Sequence, residues 1–399
     1  SLVETWNGAV DTAYSHLPFA SCYSIGEVFS YNFGQRPFAY TPPTGFVALN
    51  TFNLPEPSIK AGNKHFDATT YTGTGATQSI VNSGAFQPSL VWFKRRSAAE
   101  NHWLTDAVRG STKGLFSNLT DAEATRTDQL TSFNSNGFTL GADGAGYTNI
   151  NTNSYIAWQW KGNGTGSSNT AGSITSTVSA NPIAGFSVVT YTGNGTSGAT
   201  IGHGLGVAPK MIITFQRNSG TNHATWHTSL SASETLWLDQ TWSASLYGNR
   251  FDVTGFTSSV FKTGSSDGEI NTNGNTYVAY CFAEVAGYSK FGSYIGNGSA
   301  DGAFVYLGFR PKFVMWKRSD STGDWIIFDS SRNPYNYADL QLCANLSNAE
   351  QVTGGGFVRE DLLSNGFKVR STDSYINANG GTYIYMAFAE SPFKTSLAR

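Results

Sequence analysis

Charge is scarce in this chain. Only 13% of its 399 residues are Asp, Glu, Lys or Arg, and the formal net charge is −2. No face reads as a basic stripe, so the electrostatic footprint of nucleic-acid binding is missing. Long apolar runs are missing too, and nothing approaches the length of a membrane span. Cysteine is limited to Cys22, Cys281 and Cys343. An odd number at such separations excludes a disulfide framework, and Cys281, inside the apolar run Tyr277 to Ala283, is expected as a buried thiol. Helical periodicity is weak throughout; its best candidate, Asp121-Ala122-Glu123-Ala124, is about one turn. No Gly-x-Ser-x-Gly or Walker-type run occurs, and Gly354-Gly355-Gly356 is a turn signal. No carboxylate pair recurs in a motif suited to glycoside hydrolysis. The sequence begins at Ser1, without methionine or signal peptide. The N-terminus is therefore expected to be a cut from a longer protein, and Phe393 to Arg399 to be a natural tail.

What the chain does have is apolar and aromatic material. Hydrophobic residues make up 39% and aromatics 14%, with 44 glycines, enough for real cores joined by many turns. Three marks recur in the same order. The first is an aromatic strand with a glycine turn: Tyr71-Thr72-Gly73, Tyr191-Thr192-Gly193 and Tyr294-Ile295-Gly296. The second is a proline before an apolar strand that ends in a basic residue: Pro88 to Lys94, Pro209 to Arg217 and Pro311 to Lys317. The third is an Asn-rich turn before a last strand, at Ile150 to Ala157, Ile270 to Ala279 and Ile376 to Met386. A Gly-Phe pair stands between the second and third marks, at Gly137-Phe138, Gly255-Phe256 and Gly366-Phe367. The offset of roughly 100–120 residues suits a whole domain rather than a solenoid repeat.

The sequence thus predicts an all-β protein of three homologous, tandem β-sandwich domains, jelly-roll-like in character. Their expected limits are 64–161, 185–286 and 290–393, with a Gly/Ser/Thr-rich linker over 162–184. Tyr383, Tyr385 and Ala387 would face one side of a strand and Ile384, Met386 and Phe388 the other, a pattern of burial on both faces. Trp158 and Trp160, with Tyr280 and Phe282 in the second copy, read as core.

Residues 1–57 do not match the repeat. Tyr31-Asn32-Phe33-Gly34-Gln35-Arg36-Pro37-Phe38 resembles the closing strand of the SPRY domain, so 1–57 is expected as the C-terminal part of a SPRY-like β domain. The run Thr41-Pro42-Pro43-Thr44-Gly45-Phe46 resembles a junction in bacteriophage virion proteins. The stretch Ile201-Gly202-His203-Gly204-Leu205-Gly206-Val207-Ala208-Pro209 resembles modules of phage tail fibres, as does the ending Tyr385 to Phe393. The resemblance covers nearly the whole chain, and its motifs are structural. It implies a non-enzymatic tail-fibre or virion protein, extracellular when functional, homotrimeric, and in contact with a host-surface glycan or receptor and other virion proteins. A purely structural virion component is the alternative. A polysaccharide-degrading spike is a weaker one, since it requires a recessed acid pair.

His203 stands where Asn82 and Val305 stand in the other copies, which argues for a turn or packing role. His223 and His227 share a strand face but have no third ligand. Asp106 and Arg109 recur as Asp329 and Arg332, without a counterpart in the second copy; they read as an ion pair tying a loop to the sandwich, with a ligand-contacting loop as the alternative. Asp143-Gly144 and Asp267-Gly268 have oxygen ligands but not the density of a calcium loop. No catalytic residue, metal or cofactor is expected. Trp242, and Tyr335 with Tyr337 beside Asn333 and Asn336, lie in polar, loop-like contexts. Ring faces for C–H stacking beside amides for hydroxyls are what a sugar-binding surface requires, so these five are the candidate ligand-binding residues.

Overall fold

A strand with apolar residues on both faces needs neighbours on both. In a computed structural model of the chain, Thr382–Ala389 is paired along both edges, by Ser289–Ile295 and Pro311–Arg318, and covered on both faces, with Tyr383 to Phe388 all buried. The structure describes residues 57–246, 249–352 and 359–391, together with Thr41 and Thr44. The expected SPRY-like segment up to Glu56, Cys22, the triple glycine at 354–356 and the end of the chain from Pro392 lie outside the described residues. Among the described residues the one α-helix is Ser374–Asn377. The expected helical turn at Asp121–Ala124 is extended instead, and Ala124–Thr125 pairs with Lys113–Gly114.

One strand order occurs three times. Unit 1 contains β1 (Phe66–Thr72), β2 (Leu90–Arg95), β3 (Trp103–Asp106) and β4 (Ser154–Trp160), in the order β1-β4-β2-β3. Unit 2 contains β5 (Phe186–Thr192), β6 (Met211–Gln216), β7 (Ala224–His227) and β8 (Thr276–Phe282), in the order β5-β8-β6-β7. Unit 3 contains β9 (Ser289–Ile295), β10 (Pro311–Arg318), β11 (Trp325–Asp329) and β12 (Thr382–Ala389), in the order β9-β12-β10-β11. All pairings are antiparallel. A smaller sheet packs on one face of each, as where Ile80 and Phe138 meet Val91, Phe93 and Ala157 in unit 1.

The expected linker is partly sheet. Ser176–Asn181 pairs along its length with β5, and Ser167–Asn169 pairs with Ser176–Val178. Backbone pairing onto an available edge outweighs the low strand propensity of Ala and Asn in this segment. The structural pairing also realigns unit 2 against the other two. Phe138 faces Ile80, Phe367 faces Val305, and it is Phe261, not Phe256, that faces Ile201. Leu307 rather than Val305 therefore stands where His203 stands.

The first and third sequence marks meet in each unit. Tyr71 stacks on Tyr155, Tyr191 on Tyr277 and Tyr294 on Tyr383, with centroids 5.4, 5.2 and 4.9 Å apart. The Oδ1 atoms of Asn149, Asn271 and Asn377 accept from the turn amides of Thr74, Asn194 and Asn297. The turn glycines are sterically required. A Cβ on Gly73, Gly193 or Gly296 would lie 2.2, 2.4 or 2.3 Å from a backbone carbonyl oxygen.

The three sheets do not stand apart as beads. The described residues from 57 to 391 belong to one compact body, and the inner faces of all three sheets share one core. Trp160, Phe282 and Phe388 occupy equivalent positions opposite Leu90, Met211 and Phe313. They form a triangle with centroid separations of 6.1, 6.1 and 5.8 Å. Trp158 and Tyr280, read from the sequence as core, lie in the same cluster. Each such side chain gains about 1.5–3 kcal/mol by burial, and no unit alone supplies its lining.

Candidate functional site

Sharing a core creates three seams, and equivalent hydrogen bonds cross them. His102 of unit 1 reaches the Cys343 carbonyl of unit 3 (2.9 Å). His223 of unit 2 reaches the Phe116 carbonyl of unit 1 (2.8 Å). The Trp325 indole of unit 3 donates to the Trp237 carbonyl of unit 2 (2.8 Å). Each unit thus holds the one before it, and the ring closes.

Two seams carry the same buried ladder of charge. Between units 1 and 2, the Asp106 carboxylate accepts from Arg109 (2.5 Å) and from the Tyr280 hydroxyl (2.9 Å). Arg109 also donates to Glu123 (3.0 Å), which Arg217 clasps at 2.8 and 3.0 Å. Between units 3 and 1, Asp329 accepts from Arg332 (2.6 Å) and the Trp158 indole (3.0 Å), Arg332 donates to Glu350 (3.1 Å), and Arg96 clasps Glu350 at 2.9 and 2.8 Å. The Asp106/Arg109 and Asp329/Arg332 side chains are fully buried, so these pairs join units rather than pin a surface loop. Burial alone would raise the Glu123 and Glu350 carboxyls, but bonds from Arg217 and Arg96 hold both below their usual range.

The third seam, between units 2 and 3, has none of the four charges. The Ala244 amide donates to the Ser319 carbonyl (2.8 Å), as Glu123 does to Arg217 and Glu350 to Arg96. Ala244 and Ser319 therefore stand for the Glu and its clasping Arg. In the same way His227 stands for the Asp and Leu230 for the first Arg. His227 accepts the Ser229 amide at Nδ1, which leaves Nε2 to donate to the Tyr385 carbonyl (3.0 Å). Burial pushes its pKa down to about 4, so the ring is neutral at pH 7. With His223 also bonded to backbone carbonyls, the two histidines are structural. Among the described residues no group of three or more His, Cys, Asp or Glu could hold a metal ion. Asp143 is a turn organiser, accepting from the amides of Gly146, Tyr147, Thr148 and Asn149.

A cavity of about 510 Å³ opens at this third seam, lined by Asn222, Trp237, Trp242, Ser243, Ser245, Arg250 and Glu269 of unit 2 and Thr322 of unit 3. The buried Trp237 indole donates to Glu269 (2.9 Å), and Arg250 bridges Glu269 (2.5 Å) and Asp267 (3.1 Å). Trp242 stands edge-to-face on Trp237 with centroids 5.4 Å apart and remains 47% exposed. Such a site offers one apolar ring face beside hydroxyl, amide and charged groups.

The other candidate residues do not line this cavity. Tyr335 is 83% exposed, whereas Arg359 lies over the Tyr337 ring at 4.3 Å. The Asn336 amide is spent on the backbone, donating to the Leu362 carbonyl (3.2 Å) and accepting its N–H (2.9 Å). Asn333 is buried and bonds Asp339 and the Leu340 amide. These two amides, expected to meet sugar hydroxyls, brace the loop instead. Arg250, Glu269, Asn222 and Thr322 were not singled out in the sequence.

Fold and site together define an all-β protein of three interlocked sandwich units with an aromatic, polar cavity at one seam. The chain belongs to the DUF7483 family, described as a domain of unknown function, whose family model matches residues 61–392 and so takes in all three units as one domain. No curated protein sequence matches it.

Proposed function

We propose that this chain is the distal part of a phage fibre or similar virion appendage, that it contacts a host-surface glycan, and that it performs no catalysis. The observation that carries the reading is Trp242, an exposed ring at the mouth of a cavity walled by hydroxyl and amide groups. Low charge and the tail-fibre resemblance support it. The same proposal takes the three units as products of duplication, residues 1–57 as the end of a SPRY-like domain, and the assembled protein as an extracellular homotrimer. Glu269 is engaged by Arg250 and by the Trp237 indole, which suits a binding wall better than a proton donor for glycoside cleavage. A second reading, a structural component joined to other virion proteins, is favoured by Tyr335, whose ring is open while its neighbouring amides are consumed.

The test is binding of the purified protein to intact candidate host cells, with Trp242→Ala and Tyr335→Ala/Tyr337→Ala as comparisons. Saturable binding lost in the folded Trp242 variant supports the glycan contact. Binding lost only in the double tyrosine variant moves the contact to the Tyr335 loop. No binding by the folded protein to any susceptible host leaves the structural reading.

A further inference from the structure

We infer that the cavity between units 2 and 3 is a specialised site for a neutral hexose unit of a glycan, and that the loss of the charge ladder belongs to that specialisation. The inference rests on the glycan-contact reading and names the sugar class and the atoms that would meet it. The three seams are structurally equivalent. Two are closed by the same Asp–Arg–Glu–Arg set, and the third has lost all four charges together, to His227, Leu230, Ala244 and Ser319. One substituted position, Ala244, lies in the cavity loop between Ser243 and Ser245 of the lining, and its amide donates to the carbonyl of another, Ser319.

Unit 1 differs at two equivalent positions, where Trp103 stacks on Tyr147 at 5.2 Å. At those two positions unit 2 has Ala224 and Glu269, the first small and the second drawn to Arg250. The platform is likewise unique to this seam. Counting from Ala244, Trp242 corresponds to Asp121 in unit 1 and to Asn348 in unit 3.

Charge selects the class of sugar. The cation in the cavity wall, Arg250, already faces two carboxylates, Asp267 at 3.1 Å and Glu269 at 2.5 Å. An anionic sugar would therefore find the Glu269 carboxylate in the wall and the lining cation already engaged, and like charges at close range disfavour binding. A neutral pyranose can lay its C–H face on the indole of Trp242 and turn its hydroxyls to Ser243, Asn222 and Thr322. The volume falls within the usual range for small-ligand sites.

The experiment is saturation-transfer NMR on the intact protein with the methyl glycosides of glucose, galactose, mannose and N-acetylglucosamine at millimolar concentration, and glucuronate as the anionic comparison. At least one neutral glycoside is expected to receive saturation on its ring protons. The signal should fall at least five-fold in Trp242→Ala and be largely kept in Trp242→Phe, both with unchanged circular dichroism. Glucuronate should give at most one-fifth of the best neutral signal. No transfer to any neutral glycoside, transfer that survives Trp242→Ala, or glucuronate equal to the neutral sugars would each overturn the inference. Transfer without cell binding would retain the sugar site and reject the host-contact reading, and cell binding without transfer would do the reverse.

Discussion

Removing Arg109 should expose how much the charged seams matter. Its guanidinium is fully buried and serves Asp106, Glu123, the Leu104 carbonyl and the Tyr280 hydroxyl. Arg109→Leu leaves the Asp106 carboxylate buried with only the Tyr280 hydroxyl and the amides of Val108 and Arg109 around it. Stripping one partner from a buried ion pair costs about 3–5 kcal/mol. The three units unfold as one compact body, and an unfolding entropy near 2.1 cal/mol/K per residue makes each kcal/mol worth ~1.4 °C at that length, so Tm should fall by about 4–7 °C. The uncharged seam supplies the compensation. His227 accepts the Ser229 amide two residues on, just as Asp106 accepts that of Val108. Asp106→His with Arg109→Leu therefore keeps the turn contact and removes the stranded charge, and should be about 2 kcal/mol more stable than Arg109→Leu alone. Guanidinium unfolding followed by tryptophan fluorescence and far-UV circular dichroism reads both values, with coincident transitions as the condition for using them. A cost below about 1 kcal/mol for the single change, or a double variant no better than the single, would refute the view that the charges are mutually dependent.

Two further expectations concern a buried lysine and the turn glycines. Lys317 donates to the carbonyls of Thr241 (3.2 Å) and Arg318 (2.7 Å), and burial drives its pKa from 10.5 down to about 7. The unfolded chain binds more protons between those values, so Lys317 makes stability rise with pH over that window and fall as pH drops through about 7; Lys317→Met should flatten the rise, and parallel pH–stability curves for the two proteins would contradict the assignment. Gly193→Ala puts a methyl 2.4 Å from the Thr272 carbonyl oxygen and should cost ~3 kcal/mol or more in thermal unfolding. Gly274→Ala, at φ +78° with nothing within 4 Å, should cost about 1–2 kcal/mol, and equal losses would show that close approach is not what demands glycine at position 193.

The all-β class was legible because it rests on local rules. Alternation such as Tyr383 to Phe388, prolines ahead of strands and recurring Tyr-x-Gly and Asn-rich turns each declare a strand or a turn within a few residues of themselves. Core membership of Trp158, Trp160, Tyr280 and Phe282 was legible for the same reason, because a strand's period of two puts them on one face. The stretch 176–181 was misread, since Ser, Thr and Ala look like linker until β5 offers an edge to pair with. The second copy was misaligned at Phe256 because the sequence does not show which phenylalanine faces Ile201.

Tertiary structure alone decided how the units meet. Glu123 and Arg217 are 94 positions apart and Arg96 and Glu350 are 254 apart, so neither ladder has a local pattern to read. The substitution of His227, Leu230, Ala244 and Ser319 for four charges becomes visible only when backbone pairing sets the units in register. The same holds for the candidate site. Trp242 could be picked out as an aromatic in a polar loop, but the Arg250–Glu269 wall and the occupation of the Asn333 and Asn336 amides depend on residues brought together from separate parts of a unit, and the contribution of Thr322 comes across a seam. Composition and periodicity set what each strand buries, whereas closure of the ring sets which surfaces remain for anything else to touch.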